Sequence, residues 1–233
     1  MKKLLSVMFV AVVAMVAFCS CSKEEDDLGV DNEIEITINV GERHQIITTD
    51  TNVEKFFSSD NFVAPAYKGG YTQGFHVGQA VITIKKGKWT TLCKVNVVPN
   101  FKIYDSPILK FGVSKEYIKE HEKRTLKNVS TDNEFEYMVY TDRGSWGGDI
   151  PIIYAFKKDE LVSAMVQLGK YYNRNNILDG FLSERYHKYG YVDDHLLYVH
   201  MSGGIEKDNV DYTVHVKSVY GGYQILYLGR NAY

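Results

Sequence analysis

Apolar and polar positions give the chain three successive rhythms. From Leu4 to Phe18 nearly every residue is apolar, and Lys2 and Lys3 stand before the run. A basic head followed by an apolar segment is the layout of a secretory signal peptide. The run is shorter than the roughly 20 apolar residues that a membrane-spanning helix needs. At Glu33 the rhythm changes to strict alternation, Glu33-Ile34-Glu35-Ile36-Thr37-Ile38-Asn39-Val40. Period two places the apolar side chains on one face of a strand. Gly41-Glu42, Ser58–Asn61, Gly69-Gly70 and Gly78 then punctuate further short strands, among them His44–Ile47, Phe62–Ala64, Val81–Ile84 and Cys93–Val97. Closely spaced short strands with turn residues between them predict an all-β sandwich over 33–99.

Beyond Phe101–Asp105 the periods mix. Ser114 is placed to cap a helix from Lys115 towards Arg124, with Glu116 in its first turn. Val113, Tyr117, Ile118 and His121 then share one face. Strands are predicted at Phe135–Tyr140, Ile152–Phe156 and Leu161–Leu168. Asn175 or Asn176 caps a second helix with Ile177, Leu178, Phe181, Leu182 and Arg185 on one stripe. Three more strands follow, at His195–Met201, Asp211–Val219 and Tyr223–Leu228. The expected fold of 100–233 is an α+β domain of two αβββ units, an antiparallel sheet with both helices on one face.

The apolar N-terminal run closes on Phe18-Cys19-Ser20-Cys21. Lipoprotein signal peptidase accepts a small residue directly before the lipidated cysteine, so Ser20 selects Cys21 over Cys19. The expected mature chain therefore starts at Cys21, with 1–20 removed as signal peptide and 21–32 a lipidated acidic tether. Ser22-Lys23-Glu24-Glu25-Asp26-Asp27 resembles the export signal of Bacteroidetes surface lipoproteins. That resemblance implies an outer-membrane lipoprotein exposed at the cell surface, with a periplasm-facing lipoprotein as the alternative. A solvated charge run is a sufficient account of the same residues.

Composition narrows the picture further. The balance of 27 Lys and Arg against 29 Asp and Glu carries no electrostatic footprint for nucleic acid. After processing, only Cys21 and Cys93 remain, and acylation of Cys21 leaves no intramolecular disulfide. The 18 tyrosines suit half-buried strands and glycan-facing surfaces equally.

Two resemblances rest on particular residues. Val40-Gly41-Glu42, Ser59-Asp60-Asn61-Phe62-Val63-Ala64, Gly78-Gln79-Ala80-Val81-Ile82-Thr83-Ile84 and Val95-Asn96-Val97 together resemble a bacterial immunoglobulin-like group 2 domain. Phe56-Phe57 stands where that family usually has a tryptophan. The family implies a spacer or adhesin module without catalytic residues. Phe111–Ile118 and Tyr154–Leu161 are similar to the helix start and the hairpin of the β-lactamase inhibitory protein fold and of small outer-membrane assembly lipoproteins. The pairing of the two parts also resembles Bacteroidetes surface lipoproteins with a second domain of unknown role.

Candidate chemistry is sparse. Cys93 shares a strand face with Val95 and Val97, a core position rather than that of an accessible nucleophile. Glu184 and His187, three residues apart on the expected second helix, could meet on one face, with Asp193-Asp194-His195 following. A metal site needs further ligands that the spacing does not supply, so none is expected. His195 and His200 face opposite ways in a strand. Gly144-Ser145-Trp146-Gly147-Gly148 lacks the Gly-x-Ser-x-Gly spacing of a hydrolase elbow. Its tryptophan, flanked by Arg143 and Asp149, is a candidate contact for a sugar ring or a protein. The alternative is a lid over the sheet edge. Tyr220-Gly221-Gly222-Tyr223 is a hairpin turn whose tyrosines could join Trp146. The expected function is a cofactor-free, non-enzymatic binding or adhesion module for a glycan or a protein, with the membrane engaged through the lipid on Cys21. The alternatives are a surface hydrolase in nutrient acquisition and an envelope assembly or inhibitor protein.

Overall fold

The computed structural model describes residues 32–47, 53–144, 148–193, 195–201 and 210–230. Cys21, Trp146 and Asp194 lie outside them. The chain is β-rich, and two separate buried cores organise it.

Around the first core lie strands β1 (Asn32–Asn39), β2 (Arg43–Gln45), β3 (Lys55–Ser58), β4 (Ala66–Tyr67), β5 (Tyr71–Gln73), β6 (Gly78–Lys86) and β7 (Trp89–Val98). They form a four-stranded sheet in the order β1-β7-β6-β3 and a three-stranded sheet in the order β2-β5-β4. β1 runs parallel to β7, with Asn32 opposite Thr91 and Asn39 opposite Val98. The alternation read from the sequence is the one observed. Ile38, Ile82, Cys93 and Val95 are buried, while Glu33, Glu35 and Thr37 face out. Burial raises the Cys93 thiol above its ordinary pKa, which opposes a role as nucleophile. Phe56 packs against this core and Phe57 is exposed.

The second part opens with helix α1 (Lys115–His121), whose Ser114 hydroxyl accepts the Tyr117 N–H at 3.2 Å. Four strands follow: β8 (Thr125–Thr131), β9 (Glu136–Arg143), β10 (Asp149–Lys157) and β11 (Glu160–Gly169). A 3₁₀ segment (Lys170–Asn176) leads into helix α2 (Ile177–Ser183), then β12 (His187–Val192), β13 (His195–Met201), β14 (Val210–Val219) and β15 (Gly222–Gly229). Asn176 occupies the N-cap position of α2 in the left-handed region, φ 59°, with no side-chain capping bond.

The repeat is therefore one helix and four strands, twice, and not the αβββ unit expected. β8 and β12 are the strands the periodicity passed over. The eight strands form one antiparallel sheet, β12-β13-β14-β15-β11-β10-β9-β8. Each half is a four-stranded meander, and their last strands, β11 and β15, meet at the centre. At this seam the backbones approach so closely that a Cβ on Gly222 would lie 1.8 Å from the Leu168 carbonyl oxygen. β8 and β12 are the two outer edges. An edge strand covered on neither face needs no apolar alternation, and every residue of β8 is exposed.

Both helices cover the same face. Ile118, Leu178, Phe181 and Leu182 share one core with Met138, Ile152, Val166, Ile225 and Tyr227. Within it Tyr104 and Tyr227 share a hydroxyl hydrogen bond of 2.6 Å, and burial drives both phenols far above their ordinary pKa.

Candidate functional site

Two regions emerge, a buried joint between the cores and an exposed rim at the far end of the large sheet.

The joint is built on Glu184, the residue that follows α2. It is buried at 5% exposure. Its carboxylate accepts the Asn100 N–H at 3.0 Å, the Asn100 side-chain N–H at 2.8 Å and the Phe101 N–H at 3.0 Å. Its carbonyl accepts the Val77 N–H at 2.7 Å. Glu184 thus ties α2 to the connecting segment and to the first core. The pairing with His187 on one helix face does not form, because α2 stops at Ser183 and His187 opens β12. No spacing in the sequence signals this role, since Asn100, Phe101 and Val77, which its carboxylate and carbonyl bind, are all more than 80 residues away.

Beside Glu184 a pile of rings crosses from one core to the other. His76 stacks on Phe62 at 3.7 Å, Phe62 meets His200 edge-on at 5.8 Å, and His200 stacks on Tyr212 at 4.6 Å. The His76 Nδ1 lies 2.7 Å from the Phe62 carbonyl, which only accepts, so Nδ1 carries the proton. The His200 Nδ1 lies 2.9 Å from the Asp211 carboxylate. Val199, Met201 and Val210 join the first core.

Burial lowers the His76 pKa below its ordinary 6.5. The Phe62 carbonyl opposes that shift, His187 and His200 reinforce it, and Asp60 opposes it. A histidine whose folded value is lowered binds protons preferentially in the unfolded chain, so stability is lost as pH falls through that window. The urea midpoint of the wild type is expected to drop between pH 7.5 and pH 5. His76→Gln keeps a donor for the Phe62 carbonyl and is expected to show a smaller drop. Equal drops in the two proteins would exclude His76 as the source.

The rim lies at the opposite end of β13 and β14 from Val199, Met201 and Val210. It comprises the β14–β15 turn, the end of β12, the start of the 3₁₀ segment and the β9–β10 loop. The Lys170 N–H donates to the Gly221 carbonyl at 3.0 Å and fastens the 3₁₀ segment to the hairpin. Gly221 turns the hairpin with φ 89°, a left-handed conformation that glycine adopts freely. Tyr220 stands fully exposed beside it, Tyr171 is half exposed, and Tyr191 is exposed at the end of β12. Arg143 closes β9 and is exposed. Tyr172 packs its hydroxyl against Gly144, where a Cβ would lie 1.9 Å away.

Arg143 and Tyr220, singled out in the sequence, therefore share one end of the sheet. Tyr223 points elsewhere and packs against the second core. Sequence reasoning missed Tyr171 and Tyr191. Tyr171 had one available signal, its place directly after the strand that ends at Gly169.

The face of the large sheet opposite the helices carries a row of directly paired residues: Val139, Ile153, Met165, Leu226, His215 and Leu197. All are partly exposed, and none belongs to either core. A cleft of about 470 Å³ beside the Leu109–Gly112 segment is lined by Phe111, Glu160, Asp211, Tyr212 and Arg230. Among the described residues no three His, Cys, Asp or Glu side chains are grouped to hold a metal ion, and no helix is long and apolar enough to cross a membrane. No protein-family profile matches the chain, and no curated protein matches it.

Proposed function

We propose that the chain is a surface-displayed outer-membrane lipoprotein, anchored through Cys21, that binds a glycan or a protein without catalysis. The first part serves as an immunoglobulin-like spacer and the second as an α+β binding head. Two small sheets closed around one core support the spacer reading. A single sheet with both helices on one face supports the head.

The observation that carries the proposal is the placing of the ends. Asn32 begins β1 at the end of its sheet remote from Val98, where the chain passes to the second part. The tether therefore joins at one pole and the tyrosine rim lies at the other. Aromatic rings presented on loops with an arginine supply area at low entropic cost and are typical contact anchors. Of Glu184, His187 and Asp194, one set expected to line a hydrolase cleft, Glu184 is engaged in the joint and His187 opens β12. For the paired carboxylates of the alternative reading, the cleft offers Glu160 and Asp211.

The test has two arms. Radiolabelled palmitate is expected to label the wild type and not Cys21→Ser. The mature protein, screened on glycan arrays and against envelope proteins, is expected to retain a ligand that Tyr220→Ala and Arg143→Ala each weaken at least tenfold. Ligand binding untouched by both substitutions, or hydrolysis lost on changing Glu160 or Asp211, would overturn the binding-rim reading.

A further inference from the structure

Among the described residues, the cover of the first core thins towards the start of β1. Along β1 exposure rises from 1% at Ile38 to 40% at Ile34. Along the same face of β7 it rises from 0% at Cys93 to 66% at Trp89. A groove of about 350 Å³ runs into this mouth, lined by Ile34, Ile46, Ile47, Val53, Ile84 and Trp89. Asn32 pairs with Thr91, two residues from Trp89 on β7. The point where the tether enters therefore adjoins the tryptophan.

The rim of this mouth is basic. The β6–β7 hairpin reads Lys85-Lys86-Gly87-Lys88-Trp89, and Lys55 pairs with Lys85 at the start of β3. The facing carboxylates are engaged locally. Glu54 accepts the Gly87 N–H at 3.3 Å, Glu33 pairs with Lys94, and Glu35 accepts from the Asn96 side chain at 2.6 Å. A tryptophan flanked by lysines is the chemistry of a bilayer interface. The amphipathic indole sits at headgroup level, and lysine stems bury while their ammonium groups reach phosphate.

We propose that this pole lies on the phosphate-bearing surface of the bilayer that holds the Cys21 lipid, with Trp89 at headgroup depth and Lys85, Lys86 and Lys88 on lipid phosphates. The inference rests on the lipid-anchor reading above. The stretch from Cys21 to Asn32 reaches at most about 40 Å when fully extended, so the anchor keeps the pole within range. Charge and position favour a lipid surface over a protein partner. Lys55, Lys85, Lys86 and Lys88 gather at the hairpin, and they stand at the end of the domain that the anchor holds near the membrane. Contact here would stand the molecule upright and point the tyrosine rim outward.

The experiment uses Trp146→Phe, which leaves Trp89 as the one tryptophan. The lipidated protein is reconstituted into phosphatidylcholine vesicles with and without phosphatidylglycerol, carrying lipids brominated near the headgroup. Trp89 fluorescence is expected to be quenched by half or more in the anionic vesicles. Lys85→Gln, Lys86→Gln and Lys88→Gln together are expected to abolish the quenching. A second arm uses residues 22–233 without lipid, which include every described residue. This chain is expected to bind anionic vesicles weakly, with about a fivefold loss for each lysine neutralised.

Unquenched Trp89 in a protein whose Cys21 is acylated would overturn the proposal and leave the anchor reading intact. Failure of acylation would overturn the anchor reading, while vesicle binding by residues 22–233 would still support the patch. Binding by that chain only after Glu24, Glu25, Asp26 and Asp27 are neutralised would assign the lysines to the acidic tether and overturn the lipid contact.

Discussion

Replacing Arg124 by alanine is expected to lower the unfolding free energy by about 3–5 kcal/mol. Arg124 stands just after α1 with its side chain 11% exposed, between Glu122 at 2% and Asp142 at 19%. Its guanidinium donates to both Glu122 oxygens, at 3.0 and 2.8 Å, and to Asp142 at 3.1 Å. It also donates to the carbonyls of Asp105 and Ser106 on the connecting segment. Burial works against the Arg124 charge, but Glu122 and Asp142 outweigh it and hold its pKa above the ordinary value.

The Tyr154 hydroxyl donates to Glu122 and accepts the Ile108 N–H at 2.9 Å. One ion therefore links α1, β9, β10 and the segment that closes the core. Alanine would strand the Glu122 carboxylate in an almost dry site, and uncompensated buried charge is the costly outcome. The double variant Arg124→Met with Glu122→Gln removes both charges and is expected to recover at least half of the loss. Urea unfolding followed by circular dichroism measures both. A single variant within 1 kcal/mol of wild type would show that water already screens the pair.

The second large effect is expected at Glu184. Glu184→Ala removes the acceptor for three N–H groups in the joint, and a hydrogen bond to a charged acceptor contributes about 1.5–3 kcal/mol. Water entering the vacated space recovers part of this, so the expected loss is about 3 kcal/mol. The distinctive consequence is uncoupling. In the Trp146→Phe background, Trp89 fluorescence reports the first core, and near-ultraviolet dichroism of the buried tyrosines reports the second. The two curves are expected to coincide in that background and to separate when Glu184→Ala is added. Curves that stay superimposed at unchanged midpoint would exclude Glu184 as the coupling residue.

Much of the local structure was legible, and the reason is periodicity. β1 alternates because one of its faces is buried and the other is wet. β6 and β7 follow the same rule. α1 announced itself through Ser114 and the spacing of Ile118, although it ends at His121, short of Arg124. β8 and β12 were not legible. Thr125–Thr131 has no buried face, and His187–Val192 carries exposed tyrosines and a bulge between Lys188 and Gly190. Pattern reading detects burial, and these strands are held by backbone hydrogen bonds along one edge. The candidate rim was partly legible. Arg143 and Tyr220 stood out as exposed types in turns, but Tyr223 resembles Tyr220 in sequence and is told apart only by the core it packs on.

The sequence by itself determined that the chain alternates between strand-forming stretches, that Cys93 faces a core, and where two helices begin. These depend on neighbours within a few residues, where side-chain chemistry and backbone period act directly. Only the tertiary structure decided that β11 and β15 join two meanders into one sheet, that Glu184 closes the joint and that Trp89 shares a pole with Asn32. Those facts depend on register between strands and on contacts across 80 residues or more of sequence. Local preference leaves such pairings open. The burial of whole faces selects among them.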